Sequence, residues 1–141
     1  MLAPNWNMIR LFLHVFAASV WVGGQIVLAG LVPSLRREHP EAVKTVARAF
    51  ARIAWPAFTL AVITGVWNIA EVDVTSTDTS YQVTLFVKLT IVASSGAAAA
   101  IHQSSTGQLG RSRAASAIGA AVGLLGAVAA MFLGYLLTTG S

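Results

Sequence analysis

The stretch Leu11 to Arg37, LFLHVFAASVWVGGQIVLAGLVPSLRR, does most to decide what this chain can fold into. It is about 25 mostly apolar residues running into two arginines, and at ~1.5 Å of rise per residue one helix of that length crosses a bilayer. Within it lie His14, Trp21-Val22-Gly23-Gly24 and Gln25. An ionisable side chain in hydrocarbon is costly and by default marks a functional site. His14 is therefore the residue on which a functional reading turns.

Composition supports a membrane chain. Of the 141 residues, 56% are hydrophobic and 10% charged, whereas a soluble domain carries about a quarter of its residues as charges. The expectation is one integral membrane domain, residues 1–141, multi-pass in the cell (inner or plasma) membrane, with the lipid bilayer as its main partner. The net charge of +4 does not point to nucleic acid, because the basic residues lie at the ends of apolar segments, where they set orientation. Cysteine is absent, which removes disulfides, thiolate ligands and thiol redox chemistry. The first apolar run is also too long for a cleaved signal peptide.

Four helices follow from the pattern, at about 7–35, 41–71, 81–103 and 113–137. The second opens with an amphipathic lead-in, where Glu41, Lys44, Arg48 and Arg52 draw one polar stripe. Pro56 is expected to kink the helix where it enters the bilayer. The acidic hairpin EVDVTSTDTS, Glu71 to Ser80, separates helices two and three, and QSSTGQLGRSR separates three and four. Arg36, Arg37, Lys44, Arg48, Arg52, Arg111 and Arg113 flank the first and third connections, seven of the nine basic residues. By the positive-inside rule those connections are cytoplasmic, and both termini are outside.

Depth then separates the polar residues. His14 and Lys88 each fall roughly 7–9 Å from the midplane in the same half of the membrane, while His102 lies on the order of 20 Å below them. His14 and His102 thus do not suit one haem, but His14 and Lys88 can face one cavity. Helical spacing aligns His14, Ala18, Trp21 and Gln25 on the first helix, Thr64, Asn68 and Glu71 on the second, and Lys88, Ser95, Ala99 and His102 on the third. Such stripes normally face a bundle interior. Bland readings stand beside these: His14 bonding a neighbouring helix, Lys88 snorkelling to the surface, His102 ending a helix, and Gln25 and Asn68 as interhelical hydrogen-bonding groups. On the fourth helix Ser116, Gly119, Gly123, Gly126, Ala130 and Gly134 form a small-residue stripe suited to close packing within the bundle, to a homodimer, or to a flat macrocycle.

Two chemistries fit these residues. Haem b needs a good nitrogen ligand in an apolar slot, and His14 supplies one; Lys88, in its neutral form, is a candidate second ligand, or a partner for a propionate. Trp21 and Asn68 are candidate lining residues. Copper is the alternative: Cu(I) favours soft ligands and imidazole, and without cysteine the set reduces to Met8, His14 and Met131. Metal-ligand candidates are accordingly His14, Lys88 and Met8. A third reading makes the chain a structural subunit of a larger membrane complex.

LFLHVFAASVWVGG with VPSLRR, ARIAWPAFTLAVITGVWN and LFVKLTIVASSGAAAAIH resemble the membrane domain of the copper-resistance protein CopD family. More distantly they resemble HemJ, the membrane protoporphyrinogen oxidase, which also pairs a first-helix histidine with a third-helix lysine. The similarity spans nearly the whole chain and implies a four-helix membrane bundle with His14 and Lys88 at the motif positions. The CopD likeness implies copper uptake or resistance, and the HemJ likeness implies haem b and oxidation of a porphyrinogen. The chain has only the short four-helix unit, unlike long CopD proteins, which speaks against a complete copper transporter.

The resulting expectation is an all-α integral membrane protein: a four-transmembrane-helix bundle, homodimeric, binding haem b between helices one and three with a redox role. Any enzymatic activity would be that of a haem-dependent oxidoreductase. The redox or metal-delivery partner is not legible in the sequence.

Overall fold

The computed structural model describes residues 5–105 and 113–139, with side chains described over 5–101 and 121–137. It is all-α. The helices are α1 (Trp6–Glu38), α2 (Ala42–Ala70), α3 (Thr79–Ser105) and α4 (Arg113–Thr139), with one 3₁₀ turn, Val74–Ser76, before α3. All four expected helices are present, and the observed ends lie within a few residues of the expected ones.

Local chemistry explains the ends of α1. Asn5 caps it, its side-chain oxygen accepting from the Met8 N–H at 2.9 Å. At the other end Arg36 and Arg37 occupy the last turn, where cations complement the helix dipole. The His39 N–H then closes the helix on the Leu35 carbonyl at 2.8 Å. α2 continues through Pro56, so the amphipathic lead-in and the apolar segment form one 29-residue helix. Proline has no N–H to give the Arg52 carbonyl, and the helix goes on without that bond.

The chain divides into two compact units, Met1–Thr75 and Ser76–Ser141. The first is the α1–α2 hairpin. Its facing pairs run in opposite directions along the two helices, His14 with Thr64 and Arg10 with Asn68, which is antiparallel register. Ala17 and Ala54 are almost fully buried and Trp21 is 7% exposed. Small residues on facing positions let the helices approach, and in lipid that packing holds them together more than expulsion of water does. At Gly24 the fit is tightest, because a methyl group there would overlap the Phe50 ring.

The second unit is the α3–α4 hairpin, also antiparallel. The Ser95 hydroxyl is buried and donates to the Gly123 carbonyl at 3.3 Å. A methyl group on Gly126 would rest 3.6 Å from Ile91, an ordinary contact. The described part of the α4 small-residue stripe therefore meets α3 at Gly123 and Gly126. Ser116 and Gly119 lie outside the residues whose side chains are described.

Among the described residues, Trp6–Glu38, Ala42–Ala70 and Thr79–Ile101 are long and apolar enough to cross a membrane, and Ala121–Leu137 is a shorter apolar run within α4. Large apolar side chains cover the outer surfaces, among them Phe12, Phe16, Ile63, Phe86 at 72% exposed and Leu125. In water so much apolar surface would drive aggregation, whereas against lipid it is the ordinary outer face of a membrane protein.

Candidate functional site

His14 sits on the α2-facing side of α1, and α2 determines how its ring is held. Nδ1 lies 2.9 Å from the Ala61 carbonyl oxygen and 3.1 Å from Thr64 Oγ1. A carbonyl only accepts, so the Nδ1–H must be the donor, shared with the threonine oxygen. The Thr64 hydroxyl in turn donates to the Leu60 carbonyl at 2.7 Å, which leaves its lone pairs for the imidazole. This arrangement fixes the tautomer. In the neutral ring, Nε2 carries the lone pair.

Gly65 completes the seat. A methyl group there would come within 3.1 Å of His14 Cε1 and 3.5 Å of Nδ1, so the ring lies directly against the α2 backbone. Thr64 itself is buried, 3% exposed. The Thr64, Asn68 and Glu71 stripe read from the sequence does converge on α1.

One turn towards the Trp6 end of α1, Arg10 forms a second polar cluster. Its Nε donates to Asn68 Oδ1 at 2.6 Å, and a terminal nitrogen stands 3.3 Å from Glu71 Oε1. The guanidinium also lies 5.8 Å from the centre of the Trp67 ring, whose Nε1–H donates to the same Glu71 oxygen at 3.2 Å. Asn68 is thus an interhelical hydrogen-bonding group. Arg10 stands four residues before His14 in the sequence, and that spacing alone places it on the face that meets the Thr64, Asn68 and Glu71 stripe.

Trp21, two turns deeper on the His14 face, packs against Phe58 at 4.6 Å and Trp55 at 5.8 Å between ring centroids. It is a core residue of the α1–α2 hairpin. Gln25, a turn further, has its Nε2 buried without a hydrogen-bond partner among the described residues. Met8 is half exposed. Six residues from His14, it lies about 240° around α1, so the helix does not bring the two together.

In the other hairpin Lys88 reaches α4. A methyl group on Gly134 would lie 2.9 Å from Lys88 Nζ and 3.5 Å from Cε, so the ammonium end rests against the α4 backbone where no side chain stands. Residues 79–141 contain no aspartate or glutamate, so neither α3 nor α4 offers the amine a carboxylate side chain; Asp78 stands just before α3. The side chain of His102 lies outside the described residues. No group of three or more His, Cys, Asp or Glu side chains able to hold a metal ion occurs among the described residues.

The hydrogen bonds at His14 Nδ1 hold the ring as a metal-ligating histidine is held. An imidazole whose Nδ1–H is tied to a backbone carbonyl is the usual state of a metal-binding histidine, because that bond sets the ring's angle and raises the basicity of Nε2. Compared with models of protein families, with curated proteins and with solved structures, the chain matches none of them.

Proposed function

We propose that this chain is a haem b-binding protein of the cell membrane with a redox role, and that His14 supplies the axial nitrogen. The observation that carries this reading is the hydrogen bond from His14 Nδ1 to the Ala61 carbonyl. It leaves Nε2 as the nitrogen with the lone pair, in a segment where an ionisable group is costly to keep without a use. Bound haem supplies one-electron chemistry. The chain's own part is to hold the imidazole in one tautomer through Ala61 and Thr64, to seat it against Gly65, and to surround it with apolar helix faces. The resemblance to the CopD and HemJ membrane domains supports the same residue. The basic side chains Arg36, Arg37, Lys44, Arg48 and Arg52, all exposed, support a cytoplasmic α1–α2 connection with both termini outside.

The test is an absorption spectrum of detergent-purified protein, oxidised and then reduced with dithionite, with metal analysis on the same sample. The expected result is a Soret band with reduced α and β bands, lost in His14→Ala, and an iron content matching the haem. A preparation supplied with haem during expression that shows neither Soret band nor iron sinks the reading. Copper in that sample would put copper homeostasis in its place.

A further inference from the structure

Arg10 is the charged residue of α1 nearest His14 in sequence. It stands four residues before His14, on the same helix face and about 6 Å along the axis. Its side chain is only 12% exposed, so a charge meeting it is partly shielded from water and the pairing is strengthened. Asn68 holds Nε and Glu71 meets one terminal nitrogen, which fixes the plane of the guanidinium. A guanidinium has five N–H donors in a rigid fork, and Asn68 and Glu71 take up Nε and one terminal nitrogen, so that among the described residues those on the second terminal nitrogen are left to meet another acceptor. Glu71 is 53% exposed, so water can solvate its carboxylate if a second anion takes its place.

We propose that Arg10 is the carboxylate anchor of the ligand that His14 holds, pairing with a propionate of haem b. This rests on the reading of His14 as the axial ligand. Haem b carries its two carboxylates on one edge, and an anchor one turn from the axial nitrogen, on the same helix face, is where that edge can be met. Glu71 competes with the propionate for the guanidinium, and Asn68 keeps Arg10 turned towards either.

The experiment titrates the full-length apo-protein in detergent with haem b and with its dimethyl ester, following the Soret band. Wild type is expected to bind haem b about tenfold or more tightly than the diester, the scale of one hydrogen-bonded ion pair. Arg10→Gln should lose that preference, chiefly by weakening haem b. Glu71→Gln should enlarge it, and because Arg10 is intact there, this variant keeps the test open if Arg10→Gln fails to fold. Equal wild-type affinity for the two forms overturns the proposal, as does an Arg10→Gln variant that weakens both alike, since Arg10 would then only clasp α1 to α2. A wild type that gives no Soret band with either form overturns the haem reading itself. Equal binding leaves that reading standing.

Discussion

At the scale of single residues, the seat of His14 makes sharp demands. Thr64→Val keeps the shape of the side chain and removes the hydroxyl that shares the Nδ1–H with the Ala61 carbonyl. Loss of such a supporting bond typically weakens a metal site about tenfold or more, and a haem titration of Thr64→Val should show a loss of that size with the Soret band retained. Gly65→Ala acts through space instead: a methyl group 3.1 Å from His14 Cε1 forces the ring to shift by a few tenths of an ångström. Its expected signature is a moved Soret maximum, with Gly65→Val more disruptive than Gly65→Ala; unchanged spectra in both would refute the seat. Lys88 obeys a different logic. With no aspartate or glutamate in residues 79–141, Lys88→Met breaks no ion pair between α3 and α4 and removes a charge that costs about 2.5–3.5 kcal/mol at mid-membrane on insertion scales, less nearer the surface. Thermal melts in detergent should show no loss of stability. A change in the haem spectrum of the same variant would mark the amine as serving the cofactor.

At the scale of helices, what could be read in advance was periodicity. The long apolar runs and their polar stripes gave four helices, and the spacing of Thr64, Asn68 and Glu71 marked the α2 face that meets α1. What could not be read was which residue opposes which. Two helices known only by their stripes can slide by a turn at little cost in pattern, so the pairing of Arg10 with Asn68 and of His14 with Thr64 needed the observed register. Trp21 shows the same limit: its spacing put it on the His14 face, but its packing partners Trp55 and Phe58 needed the observed register. Pro56 removes one backbone hydrogen bond without ending the helix, and α2 carries on past it. Close approach sets a further demand on the hairpins. A methyl group on Gly24 would overlap Phe50, while one on Gly126 would sit at an ordinary 3.6 Å from Ile91. Gly24→Ala should therefore lower stability by about 1–3 kcal/mol as overpacking does, and Gly126→Ala should be nearly neutral. Equal melting temperatures for the two variants would contradict the packing described.

At the scale of the whole molecule, length and charge bear on which side of the membrane each end of the α1–α2 hairpin faces. Helices of 33 and 29 residues span about 50 and 44 Å, longer than a hydrocarbon core of about 30 Å. Each must project into the headgroup region or beyond. Five exposed basic residues, Arg36, Arg37, Lys44, Arg48 and Arg52, gather at one end of this hairpin, and Glu71 and Asp73 lie at the other. Translocating the basic end would oppose both the membrane potential and the attraction of anionic cytoplasmic lipids, which supports the proposed orientation with that end inside. The chain has no cysteine, which gives single-cysteine labelling a clean background. In intact cells, His39→Cys should be protected from a membrane-impermeant maleimide until the membrane is permeabilised, and Thr75→Cys should react at once. The two sites lie at opposite ends of one helix, so the orientation predicts opposite outcomes for them. The reverse pattern would invert the topology and put the Arg10 and His14 end of the hairpin on the cytoplasmic side. Labelling at both sites without permeabilisation would contradict α2 as a membrane span.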